Sequence, residues 1–168
     1  MSARDDIFAP SPETDVALRH AFGRFGTGVT VITAPSEIGP LGFTANSFSS
    51  VSLKPPLVLW SLANASRRHD AFARAQHFSI HVLADTQADI ALHFASKGDG
   101  FDAYTHEIDT HGVPLLQGCL ARFDCTLFDV HKAGDHSIIV GRVTQVATTT
   151  GGTGLAFDQG LYGRFQAF

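Results

Sequence analysis

The sequence predicts a mainly β protein with short helices, its strands antiparallel and arranged as a barrel. Three observations carry this reading. Runs of β-branched and aromatic residues outnumber stretches with helical apolar spacing. Strands and helices do not alternate in the βαβ rhythm of a parallel sheet. Late in the chain two long strand candidates, 119–131 and 136–146, are joined by KAGD at 132–135, a hairpin-sized link.

Taken in order, residues 1–14, with Pro10 and Pro12, read as a flexible tail ahead of a single domain over 15–168. Thr14 or Asp15 caps a helix through Phe25, where Leu18, Phe22 and Phe25 form one apolar stripe. Gly26 and Gly28 end it, and GVTVITA (28–34) is a strand. LGFTANSF (41–48) and PLVLWSL (56–62) follow as strands, the second apolar at both parities and so expected to be covered on both faces. SRRHDAFARA (66–75) reads as a short helix with Ser66 as N-cap, and HFSIHVLA (77–84) returns to strand. TQADIALHFAS (86–96) pairs Ile90 with Phe94 on one helical face, capped by Asp85 or Thr86. Glycines and Pro114 make 96–117 irregular. In 119–131, Ala121, Phe123, Cys125 and Leu127 alternate with Arg122, Asp124 and Thr126. TTTGGTG (148–154) is a turn, and LAFDQGLYGRF (155–165) supplies one or two last strands.

Composition narrows the function classes. The 168 residues carry a net charge of −4, so no global positive field draws in nucleic acid or anionic lipid. Charged residues make up 17%, below the ~25% usual in soluble domains, while hydrophobic residues reach 44%. A surface so short of charge points to burial in an oligomer. No stretch has the length of a membrane span or the apolar core of a signal peptide, which predicts a soluble, cytoplasmic protein. Cys119 and Cys125 would share a strand face about 20 Å apart, too far for a disulfide, and read as reduced and structural.

Familiar catalytic motifs fail on geometry. His106, Glu107 and His111 form HExxxH, one residue too long for two imidazoles to share a helix face, and no metal site is expected. Asp135, His136 and Ser137 look like a relay, but neighbours on an extended chain point to opposite faces. There is no GxSxG, GxGxxG or P-loop, and neither cysteine adjoins a histidine.

Two polar clusters remain. GFTANSFSSVS (42–52) holds six hydroxyl or amide side chains within a strand-like stretch: a Ser/Thr-rich turn, or a ligand-facing edge whose small hydroxyls suit a flavin's carbonyls and ring nitrogens. SLANASRR (61–68) ends one strand and opens a helix, offering backbone N–H groups and Arg67 or Arg68 to a phosphate, or else an ordinary cap with solvated arginines.

These clusters combine with FGRFGTGVTVITA, the helix ending in HFAS, GVPLLQGCLARFDC, GDHSIIVGRV and the closing GLYGRF. In this order they resemble the flavin reductase-like family, which supplies reduced flavin in two-component monooxygenases such as the hydroxyphenylacetate and phenol hydroxylases. The likeness spans 18–165, and TxNSFxSVSxxPP together with GDHxxxxGxV are its specific parts. The resemblance implies an FMN-binding split β-barrel, a homodimer with flavin near the subunit interface.

By position, the resemblance places Thr44, Ala45, Asn46, Ser47 and Ser50 along the isoalloxazine and ribityl chain. It places Ser61, Leu62, Asn64, Ser66 and Arg67 at the phosphate end, and Phe94, Ala95 and Ser96 beside the ring or the neighbouring subunit. His136 falls beside the nicotinamide, and Tyr162 and Arg164 match the C-terminal pattern. The implied reaction is hydride transfer from NADH or NADPH to FMN or FAD, with reduced flavin passed to an oxygenase. The flavin carries the electron chemistry, so no tuned acid–base pair is required. Retained FMN serving a corrinoid or ferric acceptor, and a non-catalytic flavin-binding module, are the alternatives.

Overall fold

In this computed structural model, residues 6–166 are described. The expected tail at 1–14 falls partly outside that range, and its last residues, Pro12–Thr14, form one 3-10 turn. Helix α1 (Asp15–Gly23) leads into β1 (Thr27–Gly28), β2 (Thr30–Ala34), β3 (Leu41–Ala45), β4 (Ser49–Leu53) and β5 (Pro56–Ala63). Next come α2 (His69–Arg74), β6 (His77–Val82), α3 (Ala88–Ser96) and the short pair β7 (His106–Ile108) and β8 (Pro114–Leu116). The chain closes with β9 (Ala121–Ala133), β10 (His136–Thr148), β11 (Leu155–Asp158) and β12 (Leu161–Arg164).

Seven strands form one antiparallel sheet in the order β3-β2-β6-β9-β10-β5-β4. In a flat sheet β3 and β5, five spacings apart, would be separated by about 24 Å. Here Phe43 on β3 and Trp60 on β5 have ring centroids 5.9 Å apart, and the Ser61 N–H donates to Ser47 Oγ at 2.9 Å. The sheet therefore curls on itself into a barrel split along that seam, which side chains close without a strand ladder. The expected antiparallel architecture is present.

Two apolar layers hold the curl. Inside, Trp60 is fully buried and stands edge-on to Phe72 of α2 at 5.6 Å and to Phe78 of β6 at 6.2 Å. Outside, Val29, Val31 and Leu83 pack against Ile90, Ala91 and Phe94 of α3 and against Phe101, Leu116 and Leu155. Strand β2 lies between the layers and is buried along its whole length. Strand β5, expected to be covered on both faces, is buried on one: Val58, Trp60 and Leu62 point inward, while Leu57, Leu59 and Ser61 are half-buried among the described residues.

Several local expectations shift. Helix α1 ends at Gly23 and buries no residue, leaving Phe22 69% and Phe25 80% exposed, so the apolar stripe is not enclosed among the described residues. Helix α2 begins at His69, three residues after Ser66, whose hydroxyl accepts only the Arg68 N–H at 3.3 Å. The turn before α3 is closed by Gln87, which accepts the Ala84 N–H through Oε1 at 3.0 Å, in place of Asp85 or Thr86. Within the stretch expected to be irregular, β7 and β8 pair antiparallel. Cys119 lies ahead of β9, so it does not share a strand with Cys125; both thiols are free and buried.

The β7–β8 pair is pinned to the barrel by buried polar groups. Thr33 Oγ1 donates to the Pro114 carbonyl at 2.5 Å. His81, fully buried, donates from Nδ1 to the Val31 carbonyl at 3.1 Å and accepts the Leu116 N–H at Nε2, 3.0 Å away. Because one partner only accepts and the other only donates, the imidazole is fixed as the neutral Nδ1–H tautomer. Burial pushes its pKa down from 6.5 to about 4.

Gly42 sets the approach of α3 to β3. A methyl group there would lie 2.3 Å from Phe94 Cδ1, well inside van der Waals contact. Gly42→Ala should therefore cost about 2 kcal/mol or more through overpacking, read as a lower denaturation midpoint. His81 yields a pH effect. Its folded-state pKa is depressed, so the unfolded chain binds the proton first, and the stability contributed by neutral His81 is complete above about 6.5 and lost as pH falls toward 4. The difference in unfolding free energy between pH 7.5 and 4 should shrink by about 3 kcal/mol in His81→Gln relative to the parent.

Candidate functional site

The barrel seam gathers most of the residues singled out in the sequence. Thr44 Oγ1 donates to the Ala91 carbonyl at 2.7 Å, which ties β3 to α3. Asn46 is exposed where the chain leaves β3, and Ser47 beside it joins β5 in both directions, accepting the Ser61 N–H at 2.9 Å and donating to the Ser61 carbonyl at 3.3 Å. Ala45 is buried, so only its backbone is available there. Ser50 sits exposed on β4 opposite Val58.

At the far end of β5, Ala63 pairs with His136 of β10. Asn64 clasps the preceding turn: its backbone N–H donates to the Asp135 carbonyl at 2.9 Å and its Nδ2 to the Gly134 carbonyl at 3.3 Å. The two turn residues, Gly134 and Asp135, separate β9 from β10, and Gly134 has φ +62°, a left-handed conformation that a side chain resists. His136 keeps 44% of its side chain exposed, with Nδ1 2.7 Å from Asp135 Oδ1. The hydrogen bond from His136 and its charge lower the Asp135 pKa. Ser137 points the other way, as alternation along the strand demands, and is 4% exposed.

Beyond Asn64 the chain passes Ser66 and two arginines with different duties. Arg68 Nη1 donates to the carbonyls of Gly42, Phe94 and Lys97 at 2.8, 2.8 and 2.9 Å, Nη2 reaches the Ala95 carbonyl at 3.3 Å, and the guanidinium lies 5.0 Å above the Phe43 ring. It thus satisfies the carbonyl end of α3, where a cation is electrostatically favoured. Burial lowers its pKa from the ordinary value. Arg67 is exposed and lines a cleft of about 790 Å³ with Arg74, Ser36 and Ser96.

Some expected contacts are ruled out by burial. Leu62 and Phe94 are fully enclosed in the two core layers, so their side chains meet no ligand, and only Ala95 and Ser96 of the HFAS segment are exposed. Tyr162 and Arg164 line a separate depression of about 260 Å³ with Asp85 and Ala88, at the opposite end of α3 from Ser96 and roughly 12 Å along its axis.

The rejected motifs stay apart. His106 and Glu107 lie on strand β7, while His111 stacks on His77 with centroids 3.7 Å apart and planes 4° from parallel. No cluster of three metal-ligating residues is present among the described residues, and no helix among them is long and apolar enough to cross a membrane. Burial raises the Cys119 and Cys125 thiols to about 11 and 12, which leaves them protonated and unreactive. Sequence reasoning passed over His69, whose Nε2 lies 2.9 Å from Ser137 Oγ. Its partner is distant in sequence, and no local pattern signals the contact.

The rim and cleft carry hydroxyls, an amide and the exposed guanidinium groups of Arg67 and Arg74, with a half-exposed imidazole at the end of β5 and no reactive thiol among the described residues. It suits holding and aligning a polar, planar ligand.

Known proteins give the same pattern. The family profile described as "Flavin reductase like domain" matches residues 22–166. The chain is 49% identical to "FMN reductase (NADH) SmoA" of Agrobacterium fabrum over 96% of its own length and 92% of that protein's. It is 46% identical to the reductase component of the flavin-dependent trigonelline monooxygenase of Acinetobacter baylyi over 86% of its length, spanning 47% of that longer protein. Among solved structures, the NADH:FAD oxidoreductase SgcE6 of Streptomyces globisporus superposes with a TM-score of 0.89 at 35% identity, covering 99% of this chain and 96% of that one. A second structure of that enzyme, "in complex with NAD and FAD fragments", gives 0.86, with 95% and 98% covered. The curled antiparallel sheet, the split seam and the polar rim along it are thus those of a chain that belongs to the flavin reductase-like family.

Proposed function

We propose that this protein is an NADH-dependent flavin reductase that hands reduced FMN or FAD to a separate monooxygenase. The observation that carries the reading is the polar rim at Asn46, Ser47 and Ser61, with the turn bearing His136 paired to the end of β5 and a cleft lined by Arg67 and Ser96 where the chain continues beyond Ser66. The rim supplies small polar groups of the kind a flavin ring and ribityl chain need, and the cleft supplies arginine side chains for phosphate. The named relatives, among them reductase components of two-component monooxygenases, support the same activity and an oxygenase partner.

When bound, flavin supplies the hydride-accepting ring. The protein's own part is alignment. Asp135 holds His136 through Nδ1, which leaves Nε2 directed outward for a carboxamide or phosphate of the nicotinamide nucleotide. The buried seam beneath keeps the rim rigid, so two planar rings can be held in contact geometry. NADPH is the alternative donor.

A homodimer in the cytoplasm fits this reading. The exposed faces of Phe22, Phe25, Val51 and Leu53 offer apolar surface for a second copy, and the thiols are free.

The deciding experiment is anaerobic reduction of excess FMN by NADH with catalytic protein. Many flavins bleached per protein is the expected result; bleaching of one equivalent indicates retained flavin serving another acceptor, and no bleaching removes the reductase reading. His136→Ala should lower kcat/KM for NADH roughly tenfold or more, the scale of a lost hydrogen bond to a charged or positioned group, while flavin Kd changes less than twofold. An equal loss in both would place His136 at the flavin instead.

A further inference from the structure

The four carbonyls gathered by Arg68 belong to two separate segments. Gly42 lies on β3, which runs on to the Asn46–Ser47 rim, while Phe94, Ala95 and Lys97 end α3 and begin the turn beyond it. Nη1 offers two protons to three of these oxygens, at 2.8, 2.8 and 2.9 Å, and Nη2 reaches the fourth at 3.3 Å, so one planar group spans both segments. The stem of the side chain is held as closely. A methyl group at Gly98 would lie 2.9 Å from Arg68 Cδ and 3.1 Å from Leu41 Cδ2, so the turn rests directly on the stem. The Gly98 carbonyl also accepts the Gly42 N–H at 2.7 Å.

The turn has little else to hold it. None of residues 95–99 is buried, so apolar packing does not fix their positions. Beyond the helix itself, the anchors are Arg68, the Gly42 N–H, and His93, whose Nε2 donates to the Asp99 carbonyl at 2.7 Å. Ser96, Gly98 and Asp99 of this turn line the same cleft as Arg67. An exposed guanidinium by itself holds a phosphate weakly, because water and salt screen the charge. Polar groups fixed beside it add affinity at no further ordering cost, whereas the same groups on a loose turn must first be ordered.

We infer that Arg68 is a positioning residue for the flavin phosphate: by clasping β3 to the end of α3, it sets the 96–99 side of the cleft that Arg67 lines. The inference rests on that part of the reductase reading in which this cleft receives the phosphate. Arg68 acts on the ligand through the turn, and Arg67 acts on it directly. The Arg68 guanidinium sits 5.0 Å over the Phe43 ring, whose centroid is 5.9 Å from that of Trp60, so the clasp is referenced to the aromatic group that closes the barrel.

Riboflavin, which lacks the phosphate, is the discriminating probe. Dissociation constants for FMN and riboflavin are read from flavin fluorescence, without NADH. The parent should bind FMN about tenfold or more tightly than riboflavin, and Arg67→Ala should remove most of that difference. Arg68→Met, which keeps a stem without donors, should raise the FMN Kd roughly five- to tenfold and the riboflavin Kd less than about twofold. Gly98→Ala leaves the Arg68 charge in place but drives turn and stem apart, and should give the same selective loss. The double variant should cost no more than the larger single effect, since both changes release one segment. Thermal melts establish that each variant is folded, and Gly98→Ala carries the test where Arg68→Met is not. Equal losses for the two flavins, or no loss for either, make Arg68 a purely structural cap and overturn the inference. A selective loss in Arg68→Met that Gly98→Ala does not share means that the charge meets the phosphate directly, which also overturns it, as does a parent that binds the two flavins alike. Turnover is scored separately: a parent that binds FMN selectively yet never reduces it with NADH removes the reductase reading and leaves the positioning of the phosphate standing.

Discussion

The contact between the edges of the curled sheet is the constraint on which everything else depends. Seven antiparallel strands twist of their own accord, but twist alone does not bring β3 to β5. The aromatic group made by Phe43, Trp60, Phe72 and Phe78 draws them together, because burying these rings removes more apolar surface from water than any flat arrangement could. Ser47 and Ser61 then close the seam above that group. A seam closed by side chains leaves its rim open to solvent, whereas a continuous ladder would consume the backbone groups there. The rim is where the polar residues of 44–47 and 61–67 emerge.

The same economy governs the arginines. A helix end buried without partners for its carbonyls is unfavourable, and α3 ends against β3 because Gly42 permits close approach. Arg68 resolves the resulting need with hydrogen bonds to four carbonyls, which commits it to the scaffold. Arg67, its neighbour, is left exposed to the cleft. Two adjacent residues of identical chemistry thus serve different ends, decided by which carbonyls lie within reach.

Much of the barrel was legible in the sequence, since alternation in 119–131 and the short link at 132–135 specify the β9–β10 hairpin locally, and the segments 44–47 and 61–67 were identifiable as polar clusters. What escaped was non-local. The hydrogen bond that His81 accepts from β8 gives no local signal, and the β7–β8 pair it fixes lay in a stretch rich in breakers. His69 and Ser137 are separated in sequence by the four strands β6 to β9 and by α3. Phe94 and Leu62 carried a family likeness at their positions, yet helix and strand geometry turns their side chains into the core. The stripe on α1 has the right period for packing, but the described residues do not enclose it.

The sequence holds a single tryptophan, Trp60, and the fold seals it within the aromatic group that closes the barrel. Its indole is apolar in surroundings and its Nε1 has no partner among the described residues. Tryptophan fluorescence in this molecule therefore has one origin and one meaning. Emission at short wavelength signals an intact barrel interior, and because the indole sits directly beneath the seam, its intensity is coupled through space to any chromophore lying on the rim above.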